Sequence, residues 1–324
     1  MSIIYRKFGT KRKFGVEIEL GNEVPKRKIK RYITKVAYNP VKCSGWTTSN
    51  NNQYWHLKDD ATCGKDGWDG SRGFELASFV ASGWIDLLEV ERVVDAVQHS
   101  GAKVNKNCGV HVHVDVADFS KQDIAVLLAN WLKIELRMLH AVPRRRAASE
   151  GFSKPLMHST SFYLERDHRY SPDDLWALFM PSDGNPYALD RAVTLNFTNY
   201  LKSLAWGRHW DRKTVEFRWP EGTTSGVDVK NWVRLFVNFV EYSKGHSMPA
   251  DICHSDLDET LDILGLGHTD GDFTILSSGL HDTKTWFLER IIKHYDEYPY
   301  LERKRQTERA KEILNEMWMP VRKY

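Results

Sequence analysis

Hydrophobic and polar residues alternate in several short runs of this chain. From Phe14 to Leu20, Val16, Ile18 and Leu20 fall on one side and Glu17 and Glu19 on the other. That period of two predicts a half-buried strand. Residues 109–116 repeat the pattern, with four valines alternating with His111, His113 and Asp115. Residues 213–219 do so again, with Val215, Phe217 and Trp219 against Glu216 and Arg218. Two shorter strands are expected within 54–80, around the glycine-rich stretch from Gly64 to Gly73. The spacing of Ile85, Leu88, Val93 and Val97 predicts a helix over 84–100, with Gly101 to cap its end. Ser120 and Asp123 open a long apolar helix to about His140, which Pro143 ends. Ser171-Pro172 starts a short helix through Met180, and an amphipathic helix over 229–244 closes at Gly245. Residues 144–170 read as irregular and Arg-rich, 190–206 fit neither period, and 255–324 read as mostly helical. Residues 26–54, basic and then Asn/Ser/Thr-rich, read as a loop or insertion. Strands interleave with helices irregularly, which argues for an α+β fold rather than a regular βαβ winding.

Composition narrows the function classes. With 41% hydrophobic residues in 324, the chain can bury its own core and is not a disordered type. Lys+Arg number 46 against 43 Asp+Glu, a balance that offers no electrostatic case for a nucleic-acid partner. No apolar run is long enough to span a membrane, and the N-terminal residues lack the apolar core of a signal peptide. The four cysteines form no C-x-x-C pair. The expectation is a soluble, reduced, cytoplasmic protein.

The polar sides of the strands carry the chemistry. A solvated strand face is ordinarily a mixture of Lys, Thr, Ser and Gln. Here the polar positions are Glu17 and Glu19, His111 and His113, Glu216 and Arg218, with Glu75 between two apolar residues and His56, Lys58 and Asp60 on one side of their strand. Clustered carboxylates repel one another unless a cation sits among them. Carboxylates with one or two imidazoles suit Mg²⁺ or Mn²⁺ better than zinc. A fixed guanidinium beside Glu216 suits a phosphate. If these strands share a sheet, its polar face becomes a trough for metal ions with a phosphate-binding rim. No P-loop, dinucleotide fingerprint or nucleophile elbow is present, so a nucleotide would be held through metals and arginines.

In this order, FGVEIEL (14–20), WHLKDDAT (55–62), GFELAS (73–78), CGVHVHVDV (108–116), RAVTLN (191–196) and TVEFRWPEGT (214–223) resemble the amidoligase family of the glutamine synthetase/glutamate–cysteine ligase (carboxylate–amine ligase) superfamily. The resemblance implies a curved, mainly antiparallel sheet whose concave face binds ATP and Mg²⁺ (or Mn²⁺), with helices packed on the other face. It implies that a substrate carboxylate attacks the γ-phosphate and that an amine displaces phosphate from the acyl phosphate. It casts Glu17, Glu19, Glu75, His111 and Glu216 as metal ligands and His113 and Arg218 as phosphate or transition-state contacts. Asp60 would lie near the incoming amine, although Ala61 and Thr62 depart from the usual Gly and Ser there. Arg191 and Asn196 would line the substrate pocket. The substrates implied are a small-molecule or peptide carboxylate and an amine. On this reading 1–250 form the catalytic domain and 251–324 a mostly helical C-terminal extension.

Arg144 and Arg145 offer charge for ATP phosphates or a substrate carboxylate, or form a solvated turn. The loop 45–54 or 144–155 would serve as the lid an acyl phosphate requires. Cys108 reads as a small core residue, and the helix Leu301 to Trp318 as a surface or oligomer helix. Two other readings fit the same strands. One is a His/carboxylate metal-dependent hydrolase or oxygenase, which would bind no nucleotide. The other is a catalytically inactive nucleotide-binding or regulatory protein on the same fold.

Overall fold

The strands β1 (Lys13–Leu20), β2 (Val41–Cys43), β3 (Trp55–Asp60), β4 (Gly73–Ala77), β5 (Ala81–Ser82), β6 (Val110–Asp115), β7 (Leu195–Asn196) and β8 (Thr214–Phe217) join in one sheet. Its order is β2-β3-β4-β1-β6-β8-β7, with β5 paired to β1. The β2–β3 pair is parallel and the others are antiparallel. The computed structural model describes residues 11–21, 23–45, 53–64, 73–147, 153–156, 170–179, 185, 191–207, 212–249, 252, 255–267, 277–294 and 301–318. Ten α-helices accompany the sheet among them, so the fold is α+β. The chain forms two units: residues 1–117 with 195–237, and residues 118–194 with 238–324. Among the described residues no helix is long and apolar enough to cross a membrane.

The first unit holds the whole sheet. Phe14, Val16, Ile18, Leu20, Trp55, Leu57, Leu76, Val110, Val112, Val114, Val215 and Phe217 are all buried. Against this apolar face lie α2 (Gly83–His99) and the first part of α7 (Gly226–Gly245). The Phe217 ring stacks on Phe236 at 4.2 Å between centroids, and Phe236 stacks on Trp232 at 5.5 Å. Trp55 Nε1 donates to Glu89 Oε1 of α2 at 3.0 Å. Helix α2 ends at the expected place, with Gly101 at φ +85°, a conformation glycine adopts without steric penalty.

Residues 26–54 are not simply a loop. They contain α1 (Lys26–Ile33) and β2. The basic run hides an apolar pair at helical spacing, Ile29 and Ile33, both fully buried. The following turn is fastened by buried Glu89, which accepts from Tyr38 N, Asn39 N and Asn39 Nδ2 at 3.0–3.1 Å. The proposed lid residues 46–52 and 148–152 lie outside the described residues. The ambiguous 190–206 region resolves into β7 and α6 (Thr198–Trp206).

The second unit is helical. Its α3 (Lys121–Met138) starts with the expected capping box, Ser120 Oγ accepting from Asp123 N and Asp123 Oδ2 from Ser120 N. The fully buried Glu135 accepts from Trp131 Nε1 at 3.1 Å, from Leu156 N at 2.6 Å and from the Thr194 hydroxyl. The unit also contains α4 (Arg144–Ala147), α5 (Pro172–Phe179), α8 (Leu257–Ile263), α9 (Ser277–Lys293) and α10 (Leu301–Trp318). Helix α10 is more than a surface helix. It buries Ala310 and Ile313, and Arg309 grips Asp258 of α8 through Nε at 2.8 Å and Nη2 at 3.0 Å.

The stack on Phe217 ties the sheet to α7. Phe217→Ala should cost about 3–5 kcal/mol, the usual range for emptying an aromatic core position. Urea unfolding followed by fluorescence checks this, with Tyr38→Ala, at an exposed position, as the near-neutral control.

Candidate active site

Antiparallel partners project to the same side of a sheet. The observed register therefore stacks the polar residues in rows. Lys58 faces Glu75, and Glu75 faces Glu19. Glu17 faces His111. His113 faces Glu216, and Glu216 faces Asn196. The opposite faces of the same strands are the valines and aromatics of the core, so one register sets both.

His111 stands amid three carboxylates. Its Nδ1 is 3.5 Å from Glu17 Oε2 and 3.4 Å from Glu216 Oε1, and its Nε2 is 3.7 Å from Glu19 Oε1. His113 Nε2 lies 3.4 Å from Glu17 Oε1 and 3.9 Å from Glu216 Oε1. Arg218 Nη1 donates to Glu216 Oε1 at 2.6 Å and lies 3.5 Å from His111 Nδ1. Glu216 Oε2 accepts from Asn196 Nδ2 at 2.7 Å. The Asn196 Oδ1 is held in turn by the Thr198 N–H at 2.8 Å and hydroxyl at 2.6 Å, so Asn196 orients Glu216. Glu19 Oε2 accepts from Gly109 N at 2.6 Å.

The charges are mutually perturbed. Burial alone would raise the Glu17 carboxyl, but the positive charge of the adjoining His113 and the contact with His111 hold it well below 4.5. Burial likewise opposes ionisation of Glu216, and Arg218, His113 and His111 outweigh it, again lowering its pKa. His113 moves the other way: burial disfavours its proton, but Glu17 and Glu216 retain it to a pH above 6.5. Glu75 is pushed well above 4.5 by burial and by repulsion from Glu17, against the pull of Lys58. Lys58 Nζ sits 2.7 Å from Glu75 Oε1.

Ligand atoms of Glu17, His113 and Glu216 all lie within 4.8 Å of one another, and so do those of Glu19, Asp60 and Cys63. The first set, two carboxylates and an imidazole, has the donor chemistry of a hard divalent cation. His113, expected at a phosphate, lies beside Glu17 and Glu216. Glu75, expected among the ligands, is ion-paired with Lys58. The structure gathers Glu17, Glu19, Glu75, His111, His113, Glu216, Arg218, Asp60 and Asn196 in the first unit. Arg144, Arg145 and Arg191 belong to the second and are exposed. The sequence reading gave Lys58 no role. Its signal was there, since it shares a strand face with His56 and Asp60.

These shifts set a pH signature. The raised pKa of His113 contributes stability that is complete below 6.5 and is lost as pH rises through the folded value. The lowered pKa values of Glu17 and Glu216 contribute stability present above 4.5 and lost as pH falls. Melting temperature should therefore decline on the alkaline side of 6.5 in the metal-free protein. His113→Asn should flatten that decline and also weaken the acid limb, because His113 helps to lower Glu17 and Glu216. Calorimetry reads the comparison directly.

No curated protein matches the chain. Residues 10–240 match a family model whose description reads "Putative amidoligase enzyme". That match covers well over half of the 324 residues and every strand of the sheet. With the acidic, imidazole-bearing face lying inside the matched region, the chain belongs to this amidoligase family.

Proposed function

We propose that the protein is an ATP- and Mg²⁺-dependent carboxylate–amine ligase, placed with the glutamine synthetase/glutamate–cysteine ligase superfamily. One observation carries the reading: a chain of the amidoligase family gathers Glu17, Glu19, Glu216, His111, His113 and Arg218 on one face of three adjoining strands. In the proposed reaction a substrate carboxylate attacks the γ-phosphoryl group of ATP, and an amine then displaces phosphate from the acyl phosphate to leave an amide. The reading also expects the sheet to curve, with this face concave.

The donor set fits a divalent cation, with Glu17, Glu216 and an imidazole as the residues to hold it. When bound, that cation would neutralise phosphate charge that otherwise repels the incoming carboxylate. Binding would require His113 to release its proton, so the Glu17–His113 pairing is a resting arrangement. Arg218 is suited to steadying the transferring phosphoryl group, because its guanidinium is preorganised by Glu216. Asn196 fixes the Glu216 carboxylate from behind. Asp60, with Oδ1 held by the Thr62 N–H and hydroxyl, offers a carboxylate to an incoming ammonium group. Lys58 restrains Glu75 and softens the negative potential that a substrate carboxylate must enter.

Thermal shift separates this reading from the alternatives. ATP with Mg²⁺ should stabilise the protein more than either alone, through mass action on the folded state. A hydrolase of this face would respond to metal without nucleotide, and an inactive binding protein would show the shift but release no ADP from any pool of carboxylates and amines. Arg218→Lys keeps the charge and loses the planar fork. It should lower ADP production by at least about 10²-fold, the scale for losing one preorganised donor, and change ATP affinity far less. If Arg218 served only as a salt-bridge partner of Glu216, lysine would substitute with near-normal turnover.

A further inference from the structure

The polar face of the sheet does not end at the carboxylates. Its register continues one row across five strands. Lys42 of β2 faces His56 of β3, His56 faces Ala77 of β4, Ala77 faces Glu17 of β1, and Glu17 faces His111 of β6. The next row runs from Lys58 through Glu75 to Glu19. One end of the face is therefore acidic and imidazole-bearing, and the other, on β2 and β3, is basic. Neither Lys42 nor His56 has a part in the reaction above.

Side chains at the basic end position one another. Ser44, just past β2, has its hydroxyl 2.5 Å from His56 Nε2. His56 is 5% exposed, so the pair forms a floor. The Lys42 ammonium lies 3.8 Å from the centroid of the Tyr54 ring, and that ring meets the His56 ring edge-on at 6.0 Å. Lys42 is exposed and has no carboxylate partner among the described residues, whereas Lys26 is paired with Asp59 at 2.7 Å. Lys58 is paired with Glu75, but burial holds the Glu75 carboxyl toward its neutral form, so the lysine charge is only partly offset. Burial lowers the His56 pKa, and the charges of Lys58, Lys42 and Lys26 lower it further. His56 is thus a neutral ring in a positive field.

Ala77 separates the two ends. Its neighbours in the row carry long side chains, and its methyl group leaves the floor low between them. Strands lie about 4.8 Å apart, so His56 is two spacings, roughly 10 Å, from Glu17. About three extended peptide residues cover that distance. Lysine ammoniums beside neutral hydroxyl and imidazole groups suit an oxyanion, to which lysine offers a point charge with three donors. We infer that Lys42, Ser44, His56 and Lys58 form an anion subsite that holds a carboxylate or phosphate group of the substrate, while its reacting group lies beyond Ala77 at Glu17. The position of the reacting group rests on the proposed ligase reading; the anion subsite does not.

The test uses the metal-stripped full-length protein without nucleotide. Isotope-labelled acetate and inorganic phosphate are the two probes, and broadening of each probe's NMR signal gives its affinity. At least one should bind saturably, and the better binder identifies the group the subsite takes. Lys42→Gln, at an exposed position that should not disturb folding, should weaken that probe by about fivefold. Lys28→Gln removes the same charge from an exposed position on α1 and should leave the affinity unchanged. Failure of both probes to bind, unchanged affinity in Lys42→Gln, or equal weakening in Lys42→Gln and Lys28→Gln would overturn the subsite. So would binding that is lost in Arg218→Lys and kept in Lys42→Gln, which would place the anion beside Glu216. The titration needs neither ATP nor turnover. Lys42-dependent binding in a protein that never releases ADP would keep the subsite and sink the ligase reading, and ADP release without such binding would do the reverse.

Discussion

Strand register is the constraint on which core and site both depend. In β1, β6 and β8 buried aliphatic or aromatic side chains alternate with Glu17 and Glu19, with His111, His113 and Asp115, and with Glu216. A slip of one residue would exchange the two faces, driving Glu17, His111 and Glu216 into the packing against α2 and α7. The hydrophobic gain from Val16, Ile18, Val112, Val114, Val215 and Phe217 therefore holds the charged face together, although its charges repel. The energy comes from the apolar side and the chemistry from the polar one.

The repulsion on the polar side is managed locally. Arg218 flanks the carboxylates from β8 and Lys58 from β3, and His113 keeps a proton between Glu17 and Glu216. These are unequal devices. Lysine and arginine are fixed cations, whereas the proton on His113 is one that a divalent cation could displace. That difference sorts the acidic residues. Glu75 is tied to Lys58, while Glu17 and Glu216 converge on an imidazole able to change partners. Asn196, itself fully engaged by Thr198, keeps Glu216 pointed at that group.

The family match ends at residue 240, within α7, and α8, α9 and α10 lie beyond it. Those helices are bound into their own unit by buried groups such as Ala310 and Ile313 and by the Arg309–Asp258 pair. Glu135, with three donors around one buried carboxylate, shows that a charge in this unit serves architecture, in contrast to the crowded face of the sheet.

The sequence by itself determined the strands of the site and the face each side chain takes, because a period of two is a local property of extended chain. It also marked the starts and ends of α2, α3 and α7, where a cap or a glycine acts on its immediate neighbours. Only the tertiary structure decided which strands adjoin. Placing β1 between β4 and β6, with β8 next, depends on contacts between residues about 100 positions apart, of which a local pattern carries no trace. The same holds for Lys58 on Glu75 and for His113 beside Glu17 and Glu216: each residue type was visible, but its partner lies across the sheet. Helix α1 was hidden for a different reason. Its two buried isoleucines sit in a run of lysines and arginines, and only packing shows that these two positions, rather than the charges, decide the fold of that segment.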